Sequence, residues 1–196
     1  DALIKLNQIG RAHELLKQGR QRGLKGDAVD NLERQLSSSA KHDLVPSKRA
    51  AELISLYKQG DFKKALDVGI QLFEQFPNDP NVPNFLGTIK SSLGEHASAI
   101  EYYNKAIELG PKNVQAHNNL GNALNELGRF EEAIIRYREA IELKSDYADA
   151  HYNLGVVLSE VDRLPEAVLC YSKVIELRPD YAQAHNNLAM LNDILG

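Results

Sequence analysis

Two stripes of apolar side chains, separated by one glycine, run through residues 114–147. Leu120, Ala123, Leu124 and Leu127 recur at intervals of three and four residues, which places them on one face of an α-helix. A glycine at 128 follows directly, and glycine readily adopts the left-handed backbone conformation that ends a helix. The pattern therefore predicts a second helix after a tight turn, with its own stripe of Ala133, Ile134, Tyr137, Ala140 and Ile141.

This pattern returns every 34 residues along most of the chain. Several residue types keep the same register, which predicts stacked units that bury apolar surface on their neighbours. The recurring residues are Ala65, Ala99, Ala133 and Ala167; Gly87, Gly121 and Gly155; Gly60, Gly94, Gly128 and Gly196; and Tyr103, Tyr137 and Tyr171. The predicted full units span 46–79, 80–113, 114–147 and 148–181, followed by a half unit at 182–196.

Small residues recur where the two helices of a unit are expected to cross. In the third unit these are Gly121 and Ala133, and the larger Tyr137 is expected to fill the space around them. Asp162 replaces the turn glycine of the fourth unit, and aspartate tolerates the left-handed region better than most residues. Pro165 falls in the first turn of the next helix, where its missing N–H costs little.

The two ends of the chain depart from the period. Residues 1–45 predict a divergent N-terminal helical segment and a linker. At the other end, 182–196 predicts the first helix of a truncated repeat, which favours a segment of a longer polypeptide, or else a capping helix. If the repeat is truncated, the helix that would normally pack on four of its apolar side chains is missing, and these side chains allow self-association through 182–195. They are Leu188, Leu191, Ile194 and Leu195.

The composition narrows the classes of function. The chain has 196 residues, 26% of them charged, with a net charge of −4, which argues against nucleic-acid binding. The more basic first 50 residues contain no aromatic side chain for base stacking. No apolar run reaches the roughly 20 residues that a membrane span requires. Cys170 is the single cysteine, which excludes an internal disulfide and is compatible with a cytoplasmic location.

No catalytic motif, metal-binding motif or cofactor site is predicted. His117, His151 and His185 are 34 residues apart and therefore occupy the same place on successive first helices. Packed helices lie about 8–10 Å apart, whereas zinc requires nitrogen ligands at about 2.0–2.1 Å. We expect these histidines to pack or hydrogen-bond within their own repeats, and Cys170 to be a core or surface residue.

A 34-residue unit with this pattern of small residues resembles the tetratricopeptide (TPR) repeat, a helix–turn–helix module. The resemblance implies an all-α fold in which such repeats stack into an open right-handed α-solenoid. It also implies that the first helix of each unit lines a concave groove, through the second, fifth, sixth, ninth, twelfth and thirteenth positions of the unit.

Asparagine occupies many of these positions in the C-terminal half of the groove, whereas the N-terminal half has smaller, more apolar side chains. An amide both donates and accepts hydrogen bonds, so a ladder of amides can pair with the backbone of an extended polypeptide. The candidate peptide-binding residues are Asn84, Asn118, Asn119, Asn122, Tyr152, Asn153, Asn186 and Asn187. The simpler interpretation is that asparagine is a suitable polar residue on a solvated surface.

Three motifs sharpen the resemblance. Residues 116–121, 150–155 and 184–189 are similar to repeats of O-linked N-acetylglucosamine transferases, and bacterial transferases carry related arrays. In the O-linked N-acetylglucosamine transferases such a ladder holds the protein substrate for a separate catalytic domain. The resemblance therefore implies the non-catalytic, substrate-docking region of a larger transferase.

A second group of TPR domains binds chaperones by clamping a C-terminal carboxylate with Lys and Arg beside two asparagines. Asn122 and Asn153 match those asparagines, but the cationic places hold Asn118, Gln183 and Asn187. A carboxylate needs charged donors to offset its desolvation. From 114 onwards the groove instead adds Glu126, Asp149, Glu160 and Asp193. We therefore expect a neutral to mildly basic protein or extended peptide as the partner.

Two classes of function remain open. The first is a protein-interaction module that binds an extended polypeptide in the groove. The second is an assembly scaffold or adaptor that binds folded partners, or itself, through the convex face or the terminal helix.

Overall fold

The computed structural model of the protein describes residues 47–196, and within them the backbone forms α-helices and no strand. The helices are α1 (Ser47–Lys58), α2 (Phe62–Gln75), α3 (Asn81–Ser92), α4 (His96–Leu109), α5 (Val114–Glu126), α6 (Phe130–Leu143), α7 (Ala148–Glu160), α8 (Leu164–Leu177) and α9 (Ala182–Leu195). Each helix packs on the one before it and the one after it. The predicted all-helical solenoid is therefore confirmed, while the predicted segment at 1–45 lies outside the described residues.

A residue with positive φ closes the turn inside each helix pair. Gly60, Gly94 and Gly128 have φ values of 78°, 77° and 70°, and Asp162 occupies the equivalent turn with a φ of 58°. At the third turn the N–H of Gly128 donates to the carbonyl of Asn125 over 2.8 Å, which pairs a carbonyl at the end of the helix. The interpretation of Asp162 as a substitute for the turn glycine is confirmed.

Replacing Asp162 with glycine is expected to raise the free energy of unfolding by about 0.5–1 kcal/mol, because glycine has no Cβ to resist a positive φ. The reciprocal change, Gly128→Asp, should lower the free energy by a similar amount at the equivalent turn. Urea unfolding followed by circular dichroism measures both. A less stable Asp162→Gly protein would show instead that the carboxylate itself stabilises this turn.

In three successive repeats, a tyrosine of the second helix lies directly against a glycine of the first. A Cβ built on Gly121 would lie 2.5 Å from Cε1 of Tyr137, and one built on Gly155 would lie 2.8 Å from the same atom of Tyr171. Both tyrosines are buried. The predicted close contact is therefore present, and the structure adds that the tyrosine ring fills the space that the missing side chain leaves.

The apolar interior of the described repeats consists of two clusters. One cluster of buried side chains extends from Ala99 in α4 to Leu191 in α9, and another joins α1, α2 and α3. The first helices of neighbouring pairs also touch, α3 with α5 and α5 with α7. This stacking places the groove positions of successive repeats next to one another.

One expectation about the last helix, α9, is wrong. Leu191 does not lack cover, because it packs into the shared interior and is only 2% exposed. Leu188 is half-buried, whereas Met190, Ile194 and Leu195 are exposed to 56%, 62% and 51%. The apolar surface at this end is therefore smaller than the helical pattern predicts. Of the helices from α1 to α9, none combines the length and apolarity needed to cross a lipid bilayer.

Candidate functional site

Asparagine side chains link successive first helices through their amides. Asn119 in α5 donates from Nδ2 to Oδ1 of Asn84 in α3 over 3.2 Å. One repeat further on, Asn153 in α7 donates to Oδ1 of Asn118 and of Asn122 in α5, over 3.1 and 3.0 Å. We call these five side chains the amide row. The row crosses three helices, so the stacking of the repeats brings together residues that are 31 to 35 positions apart in sequence.

The hydroxyl of Tyr137 fixes the centre of the amide row. It donates to Oδ1 of Asn122 over 2.8 Å, so that oxygen accepts from both Tyr137 and Asn153. Burial raises the pKa of Tyr137 far above its usual value, and the nearby carboxylates of Glu126 and Glu160 raise it further. The hydroxyl therefore keeps its proton and remains a donor at physiological pH.

The eight predicted residues differ in how accessible they are. Asn118 is 4% exposed and lies beneath the surface, whereas Asn84, Asn119, Asn122 and Asn153 are half-buried. Each amide has two N–H donors and an oxygen with two lone pairs, and the internal links use only part of this capacity. The half-buried members of the amide row can therefore still bind a ligand.

The amide row does not continue into the last repeat. Tyr152 packs its ring against those of Tyr171 and Tyr181, with centroids 5.8 and 5.0 Å apart. Burial raises the pKa of the Tyr171 hydroxyl, and the nearby side chains of Ser159 and Asn187 partly offset that effect. Asn186 is exposed. The structure therefore does not join these three predicted residues to the other five through hydrogen bonds within 47–196.

A polar cavity of about 480 Å³ opens beside the amide row. Its wall combines side chains from three successive first helices, including Ser91, Ser92, Asn122, Asn125, Glu126 and Asn153. The two serines and Asn125 are not among the residues predicted from the sequence to bind a peptide. Their signal was available, because Ser91 and Asn125 occupy the twelfth position of their units and Ser92 the thirteenth, both of which are groove positions.

The first-repeat end of the same face is apolar, as the sequence predicts. A smaller cavity of about 250 Å³ lies between α1 and α3 and is lined by Ala50, Ile54 and Phe85 among others. The face formed by the first helices therefore changes from apolar to polar along the stack.

The charge on this face also differs from the expectation in one respect. Asp149 is not an unpaired groove carboxylate, because Nη1 of Arg178 lies 2.8 Å from its Oδ1. Arg178 directly follows the last residue of α8, and it lies close to Asp149 only because that end of α8 packs against α7. Glu126 and Glu160, in contrast, form no ion pair with any residue between 47 and 196.

The histidine series has the structural role that the sequence predicts. Nε2 of His117, His151 and His185 lies 3.0, 2.9 and 2.8 Å from the carbonyl oxygen six residues earlier in the chain. Each ring therefore ties the start of its helix to the preceding loop. Among residues 47–196, no group of three or more His, Cys, Asp or Glu side chains could hold a metal ion.

Cys170 has the properties of a packing residue. It is half-buried against the interior. Burial raises the pKa of its thiol to about 11, with a further upward effect from Glu166 and a downward one from Arg138. The thiol is therefore protonated at neutral pH, and a protonated thiol is a poor nucleophile.

Comparison with family models identifies the repeat. A model described as TPR repeat matches residues 87–126 and 121–162, and one described as tetratricopeptide repeat matches residues 148–181. A search of curated protein sequences finds no match.

Solved structures show the same architecture. The protein MamA is 27% identical, with a TM-score of 0.66, over 71% of this chain and 81% of its own. The first TPR domain of Spaghetti (RPAP3), bound to the HSP90 peptide SRMEEVD, is 26% identical over 60% and 93% of the two chains, with a TM-score of 0.59. The second TPR domain of human RPAP3, in complex with the HSP70 peptide SGPTIEEVD, is 25% identical over 58% and 98%, with a TM-score of 0.54.

Proposed function

Because residues 87–181 of this chain are tetratricopeptide repeats, and the chain is accordingly a protein-interaction module, we propose that it binds an extended polypeptide along the face formed by its first helices. The four half-buried amides of the amide row, together with Tyr152, Asn186 and Asn187 further along the same face, are the proposed contact residues, and the buried Asn118 supports Asn153 from beneath. The ligand's backbone is the main element recognised, so the module tolerates many side-chain sequences.

The amide row is the observation that carries this proposal. Asn119 in α5 bonds to Asn84 in α3, and Asn153 in α7 bonds to Asn118 and Asn122 in α5, over 3.0–3.2 Å, so these amides are held in place before any ligand arrives. A side chain that is already immobilised loses little entropy when it binds, which favours affinity. Asn84 and Asn119 each keep a donor and an acceptor, the two groups that pair with a peptide unit, whereas Asn122 keeps its two N–H donors and Asn153 keeps its oxygen.

The proposed ligand is neutral to mildly basic. The two RPAP3 domains were solved with the acidic sequences SRMEEVD and SGPTIEEVD. In this chain the corresponding cationic places hold Asn118, Gln183 and Asn187, and Glu126 and Glu160 remain unpaired within the described helices. An acidic tail would therefore meet like charge and find no charged donor to offset its desolvation.

The proposal predicts that Asn119→Ala combined with Asn153→Ala weakens peptide binding roughly tenfold or more, because both changes remove groove amides. The probe is a peptide recovered by the wild-type protein from a display library of random decapeptides blocked at both ends. Its affinity is measured by fluorescence anisotropy. Both substitutions also leave an internal acceptor unpaired, so some loss of thermal stability accompanies them, and binding is measured well below the unfolding temperature.

The matched control is Asn104→Ala, which makes the same chemical change on the exposed side of the second helix α4. It should leave peptide affinity unchanged. Equal affinity of the double variant and the wild-type protein would exclude the amide row as the binding site. Failure of the wild-type protein to recover any peptide would exclude groove binding altogether.

The second candidate is an assembly scaffold, and a specific observation favours it. Met190, Ile194 and Leu195 are exposed on α9, and Ile135 and Leu169 are exposed on the second helices, one repeat apart. Apolar side chains grouped in this way are typical of protein–protein contacts. A wild-type protein that recovers no peptide but sediments as a dimer would support this candidate over the groove.

Delivery of the polypeptide to a transferase domain is a further part of the proposal. It rests on the resemblance of the motifs at 116–121, 150–155 and 184–189 to repeats of O-linked N-acetylglucosamine transferases. Sequencing the parent gene beyond the codon for residue 196 tests it. An open reading frame that continues into a catalytic domain would make the module a substrate-docking arm. A stop codon close behind the codon for residue 196 would leave an independent adaptor.

A further inference from the structure

The polar cavity beside the amide row is lined by hydroxyl and amide groups and by one carboxylate, that of Glu126. It lies where the first helices α3 and α5 end, at Ser92 and Glu126. The C-terminal end of a helix carries a partial negative charge, which favours a cation. The wall adds the carboxylate of Glu126 and the hydroxyls of Ser91 and Ser92.

Asn125 supplies an acceptor that the fold itself does not use. Its Oδ1 is buried and has no hydrogen-bond partner among the described residues. A buried, unpaired oxygen costs roughly 1–3 kcal/mol of stability. The amide oxygen of Asn122 in the same wall, in contrast, accepts bonds from Tyr137 and Asn153. Because Asn125 lines the cavity, a rotation of its side chain presents this oxygen to a donor that enters the cavity.

No basic side chain of the described helices neutralises this cavity. Lys90 is paired with Glu95 at 2.7 Å, and Arg129 is paired with Glu132 at the same distance. The imidazole of His96 lines the cavity, with its Nδ1 3.4 Å from the hydroxyl of Ser91. Burial raises the pKa of the Tyr137 hydroxyl, and the negative charges of Glu126 and Glu160 raise it further. Because Tyr137 lines the cavity, the electrostatic field of these two carboxylates reaches the cavity wall.

We propose that this cavity is a subsite for one lysine or arginine side chain of the bound polypeptide, with Glu126 as the counter-ion and Oδ1 of Asn125 as an acceptor. The inference rests on the proposed function, because the amide row holds the backbone from which this side chain projects. The subsite requires a positive charge at one fixed position of a ligand that is otherwise recognised through its backbone.

The test begins with the same library of blocked random decapeptides, selected in parallel on the wild-type protein and on Glu126→Gln. We expect the wild-type protein to enrich lysine or arginine at one fixed position, and Glu126→Gln to recover peptides without that enrichment. A selected peptide is then resynthesised with norleucine in place of lysine, or citrulline in place of arginine. Its affinity for the wild-type protein should fall about tenfold, and its affinity for Glu126→Gln should not change.

Two further variants separate recognition from folding. Glu142→Gln removes an equal charge from an exposed position on the second helix α6 and should preserve the enrichment. Asn125→Ala should weaken binding of the basic peptide while the melting temperature stays level or rises, because the oxygen removed has no partner within 47–196. A residue with a purely structural role would lower the melting temperature instead.

The outcomes separate this inference from the one on which it rests. Peptides recovered without any positional preference for a basic residue would overturn the subsite and leave groove binding intact. The same preference on Glu126→Gln as on the wild-type protein would also overturn it. Recovery of no peptide at all by the wild-type protein would overturn both.

Discussion

Replacing Tyr137 with alanine is expected to lower the free energy of unfolding by about 3–5 kcal/mol, the range for removing a large buried aromatic side chain. The ring is 1% exposed and packs against Gly121, and the hydroxyl bonds to Asn122. Alanine would therefore open a cavity between the helices and release the centre of the amide row. Urea unfolding followed by circular dichroism measures the loss.

Tyr137→Phe separates the two parts of this effect. It keeps the ring and removes only the hydrogen bond to Asn122, so we expect a loss of about 1 kcal/mol. Peptide affinity should also fall in this variant, because the Asn122 amide is no longer held in one orientation. A loss for Tyr137→Ala no larger than that for Tyr137→Phe would mean that the ring contributes little to the packing.

Gly121→Ala is expected to destabilise the protein by about 1–3 kcal/mol, although an alanine in the middle of a helix is normally more stable than a glycine. The new Cβ would lie 2.5, 2.8 and 2.9 Å from three atoms of the Tyr137 ring, closer than carbon atoms can approach. The ring would have to move, and it is held on its other sides by buried side chains. Thermal and urea unfolding both report the change.

A double-mutant cycle tests the cause. In the background of Tyr137→Ala the clash is absent, so adding Gly121→Ala should be neutral or stabilising. Gly155→Ala provides a graded comparison, because its Cβ would lie 2.8 Å from the ring of Tyr171 and should cost less. A Gly121→Ala protein that is more stable than the wild type would show that the tyrosine adjusts without cost.

The sequence was sufficient to predict the fold because each repeat is specified locally and then copied. The turn at Gly128, the glycine beneath Tyr137 and the two apolar stripes all lie within 34 residues, and the same pattern recurs in neighbouring units. An aspartate at the turn of the fourth unit did not obscure the prediction, since the remaining positions kept their register. Neighbouring repeats contact one another in a fixed way, so the period determines the stacking as well.

The placement of groove side chains was predictable only in part. The repeat positions located Asn84, Asn119 and Asn153 on the first helices, but not the bonds between them, since these depend on how closely successive helices approach. Tyr152 occupies the same repeat position as Asn118 yet packs on the rings of Tyr171 and Tyr181, which belong to its own repeat.

What the sequence by itself determined is therefore the repeat, its helices, its turns and the chemical character of each face. Only the tertiary structure decided which of those side chains meet. It paired Asp149 with Arg178 and buried Leu191. It also joined five asparagines into the amide row and left Oδ1 of Asn125 without a partner in the described chain. The physical reason is distance: a period fixes the direction in which a side chain leaves its helix, whereas a hydrogen bond or an ion pair depends on separations of a few tenths of an ångström between helices.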